Sequence, residues 1–170
     1  MASEKETGPS HSKAPTTVTR TSDRELTVTR TVNGPPRLVF EAWTTPELFR
    51  QWWLPKSLEM TLLSCEMDVR VGGGYRLEIS HPQAPQPMAF FGRYVEVTPH
   101  SRLSWTNEEN GADGPVTTVT FEDRDGKTLV VVHELYPSKE ALDAAGTGAA
   151  DAMAETFTQL EELLRESVGR

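Results

Sequence analysis

The chain has 170 residues and a formal net charge of −8 at pH 7. That acidic balance argues against a nucleic-acid partner, whose phosphates call for a basic face, and no stretch approaches the roughly 20 apolar residues of a membrane span. Cys65 is the only cysteine, which excludes an intrachain disulfide and makes a reducing, cytoplasmic setting the expectation.

Residues 1–23 are rich in Ser, Thr, Lys and Pro and almost free of large apolar residues. They read as a disordered tail, without the apolar core of a signal peptide, and 24–168 read as one domain. The domain opens with an alternating segment, Glu25 to Val32, predicted as a strand. Gly34 to Trp53 follows and predicts two short helices. Pro35 or Pro36 suits a first helical turn, and Leu38, Val39, Ala42 and Trp43 recur on one face. Thr45 and Pro46 restart the pattern as N-cap and N1, and Leu48, Phe49, Trp52 and Trp53 form a second apolar stripe.

Met60 to Val71 contains the next strand, with Cys65, Met67, Val69 and Val71 in phase, closed by Gly72-Gly73-Gly74. Tyr75 to Ser80 returns antiparallel to it. After a Pro-rich loop, Met88 to Thr98 is a strand whose two faces are Phe91, Arg93, Val95, Val97 and Phe90, Gly92, Tyr94, Glu96. Arg102 to Asn107 is another. Val116 to Glu122 and Thr128 to Tyr136 pair across a turn carrying the Asp125-Gly126 hairpin signal. Ser138 is a plausible N-cap for a short helix over Lys139 to Ala144, and Gly146 and Gly148 then interrupt the chain as a loop or a hinge. Ala149 to Glu166 is the longest helix, with Ala149, Met153, Phe157, Leu160, Leu163 and Leu164 on one stripe and Glu155, Glu161, Glu162 and Arg165 off it.

A strand, two short helices, a run of antiparallel strands and one long helix make an α+β domain. A curved antiparallel sheet wrapped around the C-terminal helix leaves an interior that side chains either fill or leave open for a ligand. The candidate inward residues are Met67, Tyr75, Leu77, Phe91, Trp105, Val119, Phe121, Met153 and Phe157, with Trp52 and Trp53 at the entrance. His133 and Glu134 fall on opposite strand faces and make no simple dyad. His133 needs a carboxylate across the sheet, such as Glu78 or Glu66, to do acid–base work. Glu66, Asp68, Arg70, Arg76, Glu78 and Arg93 read as cross-strand ion pairs on a solvated face. No metal-ligand spacing or phosphate-binding glycine loop is present, and Cys65 reads as a small buried hydrophobe. No metal or cofactor is expected.

The phrases Val39-Phe40-Glu41-Ala42-Trp43-Thr44 with Trp52-Trp53, Cys65 to Gly73, Gly92 to Pro99 with Arg102-Leu103, and Leu160 to Leu164 resemble the START/Bet v 1-like superfamily. This is the helix-grip, polyketide cyclase/dehydrase group. Within it they are most similar to the C-terminal domain of the activator of the heat-shock chaperone ATPase. The resemblance spans Glu25 to Glu166 and implies the helix-grip fold and a cavity between sheet and last helix. Many relatives carry Gly-Trp where this chain has Ala152-Met153. The leading expectation is a non-enzymatic protein that binds an apolar or aromatic small molecule. Two alternatives are implied. One is a polyketide cyclase/aromatase-like enzyme using Tyr75, Arg93, Trp105 and His133. The other is a chaperone-contacting protein with an exposed apolar patch.

Overall fold

The computed structural model describes residues 15–168. Eight strands form one antiparallel sheet: β1 (Thr17–Arg20), β2 (Glu25–Val32), β3 (Thr61–Met67), β4 (Gly74–Ser80), β5 (Met88–Thr98), β6 (Arg102–Thr106), β7 (Val116–Arg124) and β8 (Lys127–Leu135). Their order is β1-β2-β8-β7-β6-β5-β4-β3, so β3 to β8 form a meander and the early strand β2 pairs with the last, β8. Helices α1 (Pro36–Thr44) and α2 (Pro46–Phe49) follow β2, and α3 (Lys139–Ala145) and α4 (Gly148–Val168) close the chain. The sheet curves around α4 with the short helices at one end, which is the helix-grip architecture.

The local chemistry accounts for the element ends. Pro36 begins α1, where its missing N–H costs nothing. Thr45 is extended between α1 and α2, as an N-cap residue should be, although its side chain makes no capping bond and the Thr45 carbonyl instead accepts from the Leu48 and Phe49 amides. The β7–β8 turn is a two-residue loop in which Asp125 and Gly126 both have positive φ (57° and 88°), the requirement of a type I′ hairpin. The Ser138 hydroxyl accepts from the Ala141 amide and caps α3.

Four features depart from the sequence reading. Residues 17–20, assigned to the tail, form edge strand β1 on β2; backbone pairing to an open edge needs no large apolar side chain, and Arg20 anchors it to Asp143 at 2.7 Å. Residues 1–14 of that tail lie outside the described residues. Strand β3 ends at Met67 rather than Val71, because Gly72 and Gly73 swing across to bond Tyr94 through its carbonyl and amide. A Cβ on Gly73 would sit 2.1 Å from the Asp68 carbonyl oxygen, so that approach demands glycine. The expected cross-strand ion pairs run instead along the chain, Arg70 to Asp68 and Arg76 to Glu78, while Arg93 meets Glu108. Finally, Glu161 and Glu155, placed by the sequence only as off the apolar stripe of α4, make specific tertiary contacts. Glu161 binds the buried Arg30 of β2 and the Asn33 amide, and Glu155 takes the Ser57 amide and hydroxyl.

The interior has two unequal halves. At the α1 end it is solid: Phe40 and Phe121 meet edge to face with centroids 5.4 Å apart, and Val39, Val119, Leu160 and Leu164 are all buried. Toward the start of α4 it is hollow.

Candidate functional site

A cavity of about 460 Å³ lies between the sheet and the first half of α4. The lining is mostly apolar and aromatic, and it includes all four tryptophans, Trp43, Trp52, Trp53 and Trp105. Leu58, Met88, Gly148 and Ala149 line it while remaining exposed. The mouth therefore lies between the 3-10 turn Lys56–Leu58, the start of β5 and the start of α4.

The two consecutive tryptophans play different parts. The Trp52 indole N–H donates to the Ala42 carbonyl at 2.9 Å, its ring lies nearly parallel to Phe157 (centroids 6.5 Å apart), and it is buried. Trp53 stacks on Phe49 at 5.3 Å and turns its edge to Phe90 at 6.3 Å. Their loop is pinned to α4 by one side chain. Gln159 Nε2 donates to the Trp52 and Leu54 carbonyls at 2.9 and 2.8 Å, and Gln159 Oε1 accepts from the Lys56 amide at 2.9 Å.

Of the candidate residues, Trp52, Trp53, Met67, Tyr75, Leu77, Trp105, Met153 and Phe157 come together on the wall. Val119 and Phe121 belong to the solid half of the core and do not line the cavity. Phe91 is also absent from the wall: it lies on the other sheet face, under the Arg76 guanidinium at 5.6 Å. Phe90 and Tyr94 point inward instead. A bulge between Tyr94 and Glu96 then reverses the phase, so that Val97 packs on the core and the extra residue, Val95, is exposed. Leu63 occupies the equivalent place in the β3 bulge, which explains its exposure.

The proton-moving candidates are not assembled. Arg93 faces out to Glu108, and His133 Nε2 meets Glu25 Oε2 at 2.8 Å on the outer face; neither Glu78 nor Glu66 reaches it. That contact holds the Glu25 carboxyl below its ordinary pKa. Tyr75 and Trp105 do line the cavity. The Tyr75 hydroxyl donates to the Thr106 carbonyl at 2.8 Å and to Asn107 Oδ1 at 3.3 Å, and Asn107 Nδ2 donates to Thr117 Oγ1 at 2.9 Å. Burial pushes the Tyr75 and Tyr94 phenols far above their ordinary pKa, so both stay protonated. Cys65 is likewise pushed up by burial, as a small packed thiol should be.

The residue that sequence reasoning missed is Glu134. It lines the cavity, accepts a hydrogen bond from the Tyr136 hydroxyl at 3.0 Å, and its pKa is raised by burial. The signal was present: Glu134 shares its strand face with the buried Val130 and Val132. A different polar group on the wall lacks a partner. The buried Trp43 indole N–H has no acceptor among the described residues. No group of three or more His, Cys, Asp or Glu able to hold a metal occurs among the described residues, and no helix among them is long and apolar enough to cross a membrane.

A helix-grip sheet closed over an apolar cavity places the protein in the Bet v 1-like class. The model of the family described as "Activator of Hsp90 ATPase homolog 1-like protein" matches residues 33–165, and the chain belongs to that family. Solved structures share the fold. A Rhodobacter sphaeroides protein superposes with a TM-score of 0.79 at 21% identity, covering 89% of this chain and 99% of its own. Protein CV1439 from Chromobacterium violaceum is 28% identical with a TM-score of 0.68, covering 84% and 98%. The AHSA1-like protein from Aeromonas hydrophila is 18% identical with a TM-score of 0.68, covering 81% and 92%. No curated protein matches the sequence.

Proposed function

We propose that this protein binds an apolar or aromatic small molecule in the cavity between sheet and α4 and performs no chemistry on it. The observation that carries the reading is the void itself. Its volume of about 460 Å³ falls within the range of small-molecule sites, and mostly apolar walls of this kind favour an apolar guest. A ring system the size of an indole buries about 200 Å², which is worth about 5 kcal/mol at 25 cal/mol per Å². Part of that is spent on ordering, so for such a ring affinities in the high-micromolar to millimolar range are expected.

Two further features support binding over catalysis. Of the candidate enzyme residues, His133 and Arg93 face away from the cavity, and the Tyr75 phenol on its wall is held protonated by burial. The unpartnered Trp43 N–H is the kind of buried donor that a ligand acceptor or an ordered water completes.

The test is a titration with a hydrophobic naphthalene probe, read by tryptophan fluorescence. All four tryptophans line the cavity, so occupancy quenches or shifts most of the emission. Saturable quenching that is lost on filling the cavity with Ala152→Trp supports the reading. No saturable response at millimolar probe ends it.

A further inference from the structure

The chemistry of the wall narrows the ligand class. Among the described residues that line the cavity, Glu134 is the one carboxyl and there is no lysine, arginine or histidine. A ligand carboxylate or phosphate would therefore meet no cation and would face a carboxyl instead. A protonated amine would meet its counter-charge. Transferring an ammonium into an apolar site is costly unless an opposite charge awaits it, and Glu134 is the group placed to supply that charge.

The sheet register sets the rest of the geometry. Tyr94 lies opposite Trp105, Trp105 opposite Thr117, and Thr117 opposite Glu134. These four form one row across the inner face: two aromatic rings, a hydroxyl and a carboxyl. Strands are about 4.8 Å apart, so about 10 Å separates the backbone at Trp105 from that at Glu134. A two-ring body with a short aminoalkyl arm matches that span. Glu134 Oε1 is occupied by the Tyr136 hydroxyl, which orients the carboxyl and leaves Oε2 for a second donor. The ring-lined wall adds cation–π attraction for the same ammonium. The net charge of −8 enriches cations near the mouth.

We propose that the cavity selects aromatic amines, with the protonated nitrogen paired to Glu134 and the ring held against Trp105 and Tyr94. This rests on the reading that the cavity takes an apolar small molecule. The raised pKa of the empty Glu134 carboxyl fits a site awaiting a cation, because the incoming ammonium would favour the ionised form.

Three probes of one shape separate the two ideas: 1-naphthylmethylamine, 1-naphthalenemethanol and 1-naphthoic acid, each titrated by calorimetry at pH 7. The amine is expected to bind about tenfold tighter than the alcohol, with the acid weakest. In Glu134→Gln the ratio of amine to alcohol affinity is expected to fall to about one. If the alcohol or the acid binds the wild-type protein as tightly as the amine, the amine proposal is overturned while ligand binding stands. If none of the three binds, both readings fall. An unchanged ratio in a folded Glu134→Gln protein also overturns the proposal. The wild-type ranking needs no variant, so a misfolded substitution leaves the test intact.

Discussion

His133 and Glu134 are neighbours in β8 that face opposite sides of the sheet: His133 meets Glu25 at 2.8 Å on the outside, and Glu134 turns into the cavity beneath the Tyr136 hydroxyl. The inward carboxyl costs the empty protein stability. Its pKa is raised on folding, chiefly by burial, so the folded state holds its proton more tightly than the unfolded chain. The favourable contribution is complete below the unfolded value of about 4.3 and is lost as pH rises through the folded value. Glu134→Gln keeps an acceptor for Tyr136 and removes the titration. The variant should melt higher than wild type at pH 8, and the gap should close toward pH 4. Parallel melting curves from pH 4 to pH 8 check this; a gap that does not change with pH contradicts it.

The ion pair between Arg30 and Glu161 holds α4 against β2. Arg30 is buried, its Nη2 lies 2.6 Å from Glu161 Oε1, and its Nη1 donates to Thr16. Glu161→Ala would strand a buried guanidinium, and losses of about 3–5 kcal/mol are typical of that situation. Adding Arg30→Leu should restore much of the loss, because the stranded charge goes with it. A double-mutant cycle by urea denaturation measures the coupling, and an additive result would show the pair to be unimportant.

Much of this architecture could be read from sequence, and each miss has its own physical cause. The pattern gives β5 its observed ends, Met88 to Thr98, but predicts Phe91 inward, whereas Phe91 lies on the outer face. Simple alternation carries Val97 and Phe91 in one phase, and only the bulge at Val95 separates them. A bulge is a single extra residue with no mark in apolar periodicity. Strand β1 was missed because it adheres through its backbone. Alternation puts His133 and Glu134 on opposite faces without saying which faces in, and the phase shared with Val130 and Val132 decides for Glu134. Trp52 and Trp53 are expected together at the entrance, but adjacent side chains diverge: Trp52 is buried beside Phe157, and Trp53 packs on Phe49 and Phe90.

The phase of β5 is open to a direct comparison. Phe90 faces Trp53 across the cavity, whereas Phe91 covers the outer face beneath Arg76. Phe90→Ala should enlarge the cavity and weaken binding of the naphthalene probe by about tenfold, equivalent to about 1.4 kcal/mol. Phe91→Ala should leave the probe affinity unchanged. Equal effects in the two variants would show that the inward face has been misassigned.

Gln159 closes the entrance loop by using both ends of its amide. Three backbone groups, the Trp52 and Leu54 carbonyls and the Lys56 amide, depend on it, and the side chain is buried. Gln159→Ala leaves them without partners until water enters, a loss of at least about 3 kcal/mol at 1–3 kcal/mol for each buried group left unsatisfied. Gln159→Glu should be worse at neutral pH, since a carboxylate would then face two carbonyl oxygens, and should recover partly on acidification as the carboxyl regains a donor proton. Melting temperatures of the two variants at pH 5 and pH 8 test the order; equal melting at both would mean that the loop is held by its aromatic packing alone.

Gly92 connects backbone packing to the cavity's polar wall. It is buried in β5, and a Cβ there would lie 2.0 Å from the Thr106 carbonyl oxygen and 2.8 Å from its carbon. Those are backbone atoms, so they cannot rotate out of the way. The same oxygen accepts the Tyr75 hydroxyl at 2.8 Å, and Tyr75 leads through Asn107 to Thr117. Gly92→Ala must therefore push β6 outward and disturb the row opposite Glu134. The cost should reach or exceed the roughly 3 kcal/mol at the upper end of ordinary overpacking. Gly74→Ala is the control. Its Cβ would meet the Gly92 carbonyl oxygen at 3.4 Å, an ordinary contact, and the change should fall within about 1 kcal/mol. Urea midpoints decide between them: indistinguishable values would mean that β5 and β6 yield more easily than their close approach implies.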